Sequence, residues 1–119
     1  MPIGRPCIDF IVNIIIMYYI YILRCQGDKL YTGITTDVQR RFEEHSKQSG
    51  KGAKFTRSHK AESVEAVWSA ADRSLASKLE YRIKSLKRAQ KLSLISDNSN
   101  FSRFFGDEAE KEYKRIRVF

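Results

Sequence analysis

Residues 18–45 read YYIYILRCQGDKLYTGITTDVQRRFEEH, and the change of pattern inside this stretch decides the fold. Tyr18 to Arg24 is dense in aromatic and β-branched side chains, a composition that suits a pleated, half-buried strand. Cys25-Gln26-Gly27-Asp28-Lys29 supplies turn formers, and Leu30-Tyr31-Thr32-Gly33-Ile34 resumes the strand pattern, so a β-hairpin is expected. Thr35, Thr36 and Asp37 then offer helix N-caps, and Val38 with Phe42 one turn on gives the apolar side of a helix running to about Lys47. Arg41 and His45, also one turn apart, share another face of that helix.

Working outward, Ser49 to Lys54 is a basic, glycine-containing loop whose N–H and ammonium groups suit phosphate contact. Ser63 to Ala70 reads as a third strand, with Val64, Ala66 and Trp68 alternating with Glu65, Val67 and Ser69. Asp72 or Ser74 can cap a second helix, on which Leu75, Leu79, Ile83 and Leu86 recur at the spacing of one buried stripe. Its other faces carry Arg73, Lys78, Arg82, Lys84, Lys87 and Arg88, with Glu80 as the only acid. Leu92, Leu94 and Ile95 are expected to close the core. After the polar break Ser96 to Asn100 come an apolar patch of Phe101, Phe104 and Phe105 and a helix-forming composition over Asp107 to Arg115. The expected class is α+β: a small three-stranded antiparallel sheet flanked by helices, spanning residues 17–96, with a partly helical tail at 97–119.

Upstream, Phe10 to Leu23 is the most apolar run. Interrupted by Asn13, it falls short of the ~20 residues that span a bilayer and lacks the cleavage pattern of a signal peptide. Residues 1–16 are therefore expected to be an apolar extension rather than an anchor. Cys7 and Cys25 read as free thiols, which places the chain in a reducing compartment, cytoplasmic or nucleoid- or nuclear-associated, and not among secreted proteins.

The chain has 119 residues, one domain's worth of polymer, with 42% hydrophobic and 30% charged residues, so it can bury one core and fold alone. Twenty-two Lys+Arg against fourteen Asp+Glu give a net charge of +8, which favours polyanionic partners. Residues 39–60 and 73–91 hold seven Lys/Arg each against two and one Asp/Glu, so the positive charge is concentrated in the middle of the chain.

The order strand–turn–strand–helix–basic loop–strand–helix carries Tyr19-Ile20-Tyr21, Tyr31-Thr32-Gly33, Arg41, His45 and Glu80. This arrangement resembles the GIY-YIG nuclease superfamily over residues 18 to about 95. LYTGITTDVQRRFEEH followed by KGAKFTRSH looks like the small, stand-alone branch of that family. The resemblance implies a metal-dependent phosphodiesterase site across the sheet face, with Tyr21 and Tyr31 as the tyrosines of the two tripeptides, one of which helps activate the attacking water. It makes Arg41 the essential arginine, lets His45 orient the site or shuttle a proton, and gives Glu80 the metal, Mg²⁺ or Mn²⁺. Gly33 and Thr35 belong to the motif's framework. Tyr19 stands where the family has Gly, and Thr32 where it has Ile. An asparagine that many members carry late in the domain has no clear counterpart beyond Asn98 or Asn100.

These residue types make chemical sense on their own. Phosphodiester hydrolysis needs a proton removed from water and charge offset on the phosphoryl oxygens, which a base, an arginine and a metal can divide among themselves. A tyrosine with a pKa of ~10 becomes a base only beside cations. The planar fork of Arg41 can hold two phosphate oxygens. Arg40 points about 100° away around the helix and reads as surface charge, available to nucleic acid together with Lys51, Lys54, Arg57 and Lys84. Glu80 lies at the border of the buried stripe, where one carboxylate with waters and substrate oxygens can hold Mg²⁺.

The leading expectation is a DNA endonuclease, structure-selective in repair or recombination, with RNA not excluded as substrate. Larger relatives gain specificity from attached domains, so targeting here is expected from the chain's own surface or a protein partner. The alternative is a catalytically inactive nucleic-acid-binding module of the same fold. A third reading, a membrane-surface or interaction protein, rests on the Ile-rich start and the Phe-rich tail.

Overall fold

In the computed structural model, β1 (Tyr18–Cys25) and β2 (Lys29–Thr35) form the expected antiparallel hairpin, with Tyr21 opposite Gly33. Residues 17–47 and 59–117 are described. The apolar extension 1–16 and the basic loop with Lys51, Lys54 and Arg57 lie outside the described residues. The hairpin reverses with Gly27 at φ 78° and Asp28 at φ 59°, a left-handed conformation that glycine adopts freely and aspartate tolerates. The Asp28 carboxylate is held there by Arg24 at 2.6 Å and Arg88 at 3.0 Å.

α1 (Val38–Ser46) starts directly after the hairpin because Asp37 caps it, Oδ1 accepting from the Arg40 N–H at 3.1 Å. The Thr35 hydroxyl accepts from the Asp37 N–H at 3.1 Å and closes the strand-to-helix turn. Val38 and Phe42 then lie on Tyr21, Leu23 and Val67, covering one face of the sheet.

β3 (Ala61–Ala70) pairs with the other edge of β1. The register slips between the pairs Ile22–Ala66 and Leu23–Val64, which leaves Glu65 as the extra residue of a bulge. That slip reverses the in–out phase of β3. Ala66 and Trp68 pack with Ile20 and Ile22, whereas Val64 joins Leu23 on the opposite face, so strict alternation fails at this point.

α2 (Arg73–Lys84) is capped by Asp72, which accepts from the Leu75 N–H at 2.8 Å. Ala76, Leu79 and Ile83 are buried on the second sheet face, with Leu75 and Leu86 at the margin. Each large aliphatic side chain so buried contributes roughly 1.5–3 kcal/mol, so this stripe is a main anchor of the fold. α3 (Arg88–Ser96), α4 (Asn100–Phe105) and α5 (Asp107–Glu112) complete that layer. The core does not stop at residue 96, because Phe101, Ala109 and Tyr113 are buried with Trp68 and Leu94.

The sheet has four strands, in the order β2-β1-β3-β4, instead of the three expected. β4 (Lys114–Ile116) pairs antiparallel with Val67 to Ser69 of β3. The helix expected to reach Arg115 ends at Glu112, and Tyr113 is extended at φ −132° and ψ 140°. The extended backbone turns Tyr113 onto Phe101, with ring centroids 5.9 Å apart, and lets its hydroxyl donate to the Leu75 carbonyl at 2.7 Å. The next three residues occupy the otherwise open edge of β3. Among the described residues no helix is long and apolar enough to cross a membrane.

Candidate functional site

β1, β2 and α1 meet on one sheet face, and there they bring together Tyr21, Tyr31, Arg41 and His45. Tyr21 and Tyr31 have ring centroids 6.3 Å apart, and the His45 ring lies 6.0 Å from the first and 5.1 Å from the second. The Tyr21 hydroxyl is 3.0 Å from Nε2 of His45, and Arg41 donates a further hydrogen bond to that hydroxyl. Gly33 makes this packing possible: a β-carbon there would stand 2.7 Å from Cζ of Tyr21. Arg41 also donates to Glu44, Nη1 to Oε1 at 2.8 Å, and the same carboxylate lies 3.8 Å from Arg40.

Burial dominates the electrostatics. Tyr21 and His45 are buried, and Tyr31 is half-buried. Burial and the neighbouring Tyr31 push the Tyr21 hydroxyl well above the ordinary tyrosine range, against the opposing influence of Arg41. Tyr31 is raised too, again by burial, with Lys84 and Arg41 pulling it back. His45 is pushed down to about 4 by burial and then by the Arg41 charge, so it is neutral at physiological pH. For Arg41, burial works against the charge, but the hydrogen bonds to Glu44 and Tyr21 hold its pKa above the usual value.

Glu80 approaches from α2. Its carboxylate is 3.3 Å from Lys84 Nζ, and its charge is felt at both tyrosines. No group of three or more His, Cys, Asp or Glu that could hold a metal ion occurs among the described residues. The donor set is therefore one partly exposed carboxylate beside a phenol. Cys25, the other potential nucleophile near this face, is a free, buried thiol that burial pushes up to about 11.

The late asparagines do not reach this group. Asn98 Oδ1 accepts from Trp68 Nε1 at 2.9 Å, and the Asn100 amide donates to Ser93 at 3.1 and 2.9 Å, both in the helical layer on the other sheet face. Two polar neighbours of the site were not singled out as site residues in the sequence. Glu44, three residues after Arg41, was readable as an i,i+3 partner. Arg73 lies seven residues before Glu80 and eleven before Lys84, which places all three within about 40° on one flank of α2.

The two-faced sheet thus carries an arginine–histidine helix on its tyrosine side and a carboxylate at its margin. The GIY-YIG catalytic domain matches residues 17–93. The chain belongs to the GIY-YIG family and carries its nuclease-type catalytic domain. It is 41% identical over 97 residues to the UPF0213 protein YhbQ of Escherichia fergusonii, covering 82% of this chain and 95% of that one. The YhbQ protein of Escherichia coli strain K12 is 44% identical over 99 residues, with the same coverage. The solution structure of the UPF0213 protein BH0048 from Bacillus halodurans is 40% identical, covers 67% of this chain and 83% of that one, and superposes with a TM-score of 0.41.

Proposed function

We propose that this chain is a metal-dependent endonuclease that hydrolyses DNA phosphodiesters. The observation that carries the reading is the convergence of Tyr21, Tyr31, Arg41 and His45 on one sheet face, with Glu80 beside them. Arg41 binds a phosphoryl oxygen on its Tyr21 side, supplying a permanent positive charge where charge develops. Tyr21, buried and bonded to both Arg41 and His45, holds the guanidinium in place. Tyr31 is half-buried, and burial raises its pKa against the pull of Lys84 and Arg41, so it becomes a phenolate only with a further cation beside it. Having released its hydroxyl proton to solvent, it takes the proton of the attacking water. The water oxygen bonds to phosphorus, the bond to the leaving oxygen breaks, and that oxygen takes a proton from solvent.

Glu80 fits a hard cation such as Mg²⁺ or Mn²⁺, which accepts one carboxylate and completes its shell with waters and substrate oxygens. Bound there, the cation supplies charge that stabilises the phosphoryl and leaving oxygens. Arg40 and Lys84 add backbone-phosphate contacts on either side.

The test is nicking of plasmid, branched and single-stranded DNA, with RNA as a further arm, in Mg²⁺ and in EDTA. Tyr31→Phe, Arg41→Ala and Glu80→Gln are each expected to lower the rate at least ~100-fold, the usual share of one acid–base or charge-stabilising group. Nicking that survives in EDTA, or in all three variants, overturns the reading. A second reading, a binding module without cleavage, draws on Asn98 and Asn100 being taken up in structural bonds; salt-sensitive DNA binding with no nicking by the wild-type chain is its signature.

A further inference from the structure

Beside the tyrosine cluster lies a cavity of about 300 Å³, lined by Thr35, Thr36, Arg40, Arg41, Glu44 and Arg73 together with Tyr18 and Ile34. Three guanidinium groups face one carboxylate. All three arginines sit where a helix least favours them. Arg40 and Arg41 fall in the first turns of α1 and Arg73 is the first residue of α2, and beyond the capping Asp37 and Asp72, the former 4.0 Å from Arg40, neither first turn carries an acid. Helix N-termini carry partial positive charge, so cations there are unfavourable for the fold unless an anion compensates them.

Arg41 joins this cavity to the tyrosine site. It donates to Tyr21 on one side and to Glu44, at 2.8 Å, on the other, and Tyr21 does not line the cavity. Glu44 thus sits where an anion belongs, bridging Arg41 and, at 3.8 Å, Arg40. On α2, Arg73 is about 10 Å from Glu80 along the same flank, from a rise of 1.5 Å per residue. A strand whose scissile phosphate lies between Arg41 and Glu80 therefore has a neighbouring phosphate within reach of Arg73.

We propose that Arg40, Arg41 and Arg73 form a second phosphate site, which takes a backbone phosphate of the nucleic-acid strand adjacent to the one at the tyrosines, displacing the Glu44 carboxylate. The proposal rests on the nucleic-acid reading above and assigns Arg73 as a substrate-positioning residue. It makes Glu44 a built-in competitor for the same guanidinium groups, so the free protein holds its binding arginines in place without an anion.

The test measures affinity of the full chain for a short fluorescent thymidine oligonucleotide by anisotropy, in EDTA, at several salt concentrations. Arg73→Ala is expected to weaken binding roughly tenfold and to flatten the log K against log salt slope by about 0.7, one phosphate contact to a single strand. Glu44→Gln is expected to tighten binding several-fold. Arg103→Ala, in α4 and not among the residues lining the cavity, controls for loss of one positive charge. Because Arg73→Ala removes a cation from the positive end of a helix, its melting temperature should not fall. An Arg73→Ala variant whose affinity and slope match those of Arg103→Ala overturns the second site. Absence of nicking with the Arg73 effect intact overturns only the catalytic reading, and nicking without the Arg73 effect overturns only this one.

Discussion

Gly33 and Tyr21 face each other across the hairpin, and the missing β-carbon lets the phenol ring pack against Gly33 with its hydroxyl beside His45. The ring and the imidazole are both buried, so the histidine keeps its hydrogen bond at the cost of its charge. With a pKa of about 4 in the fold and about 6.5 in the unfolded chain, His45 binds a proton more readily when unfolded. Stability therefore rises with pH between about 4 and 6.5, and acid removes it over the same interval, by roughly 3 kcal/mol in full. Urea midpoints measured from pH 7.5 down to 4.5 should show this loss, and His45→Gln should flatten it. An unchanged slope in the variant would place the acid sensitivity elsewhere. Activity should share this neutrality requirement, because an imidazolium at position 45 would repel Arg41.

At the scale of elements, β4 shows how the tail secures the fold. Arg115 lies with its guanidinium carbon 5.1 Å from the Trp68 ring centroid and donates to the Leu94 and Ile95 carbonyls at 3.4 and 3.1 Å. Those carbonyls belong to the last turn of α3, where a helix leaves acceptors open. One half-buried side chain thus ties β4, β3 and α3 together, and Arg115→Ala is expected to cost about 1–3 kcal/mol in chemical denaturation, with little effect on DNA binding. A variant as stable as the wild type would show the tail docked by Tyr113 and Phe101 alone. The hairpin, α1 and α2 were legible because period and caps agree there: Asp37 and Asp72 are the caps, and Leu79 and Ile83 the buried stripe. The bulge at Glu65 was not, since nothing local distinguishes it from an alternating residue until Leu23 and Val64 pair. Nor was β4, because Asp107 to Arg115 has helical composition and only the open edge of β3 makes Lys114 to Ile116 a strand. At the candidate site, Tyr21, Tyr31, Arg41 and His45 were readable from motif order, and the structure brings them together. Arg73 needed the fold, since an arginine at a helix start looks like surface charge until a second helix places two more beside it, whereas Glu44 was readable from its i,i+3 spacing to Arg41.

Across the whole molecule the two faces of the sheet have separate tasks. The layer of α2 to α5 buries most of the core, whereas α1 covers a smaller cluster and carries the polar residues on the tyrosine side. The net charge of +8 is spent unevenly, and on the described surface its concentrated part borders the candidate site, with Arg40 and Arg41 on α1 and Arg73 and Lys84 on α2. Such a surface draws a polyanion mainly through counterion release, each neutralised phosphate of duplex DNA adding about −0.9 to the slope of log K against log salt. If these side chains engage about three phosphates, the slope is about −2.7, and affinity for a duplex falls about 40-fold between 50 and 200 mM salt. Titrations at four salt concentrations in EDTA measure it directly. A slope near zero would mean that the basic flank does not contact the backbone, and it would leave the tyrosine cluster without a means of drawing its substrate. A slope much steeper than −3 would instead require phosphate contacts beyond the α1–α2 flank, and Lys51, Lys54 and Arg57 would be the first to substitute.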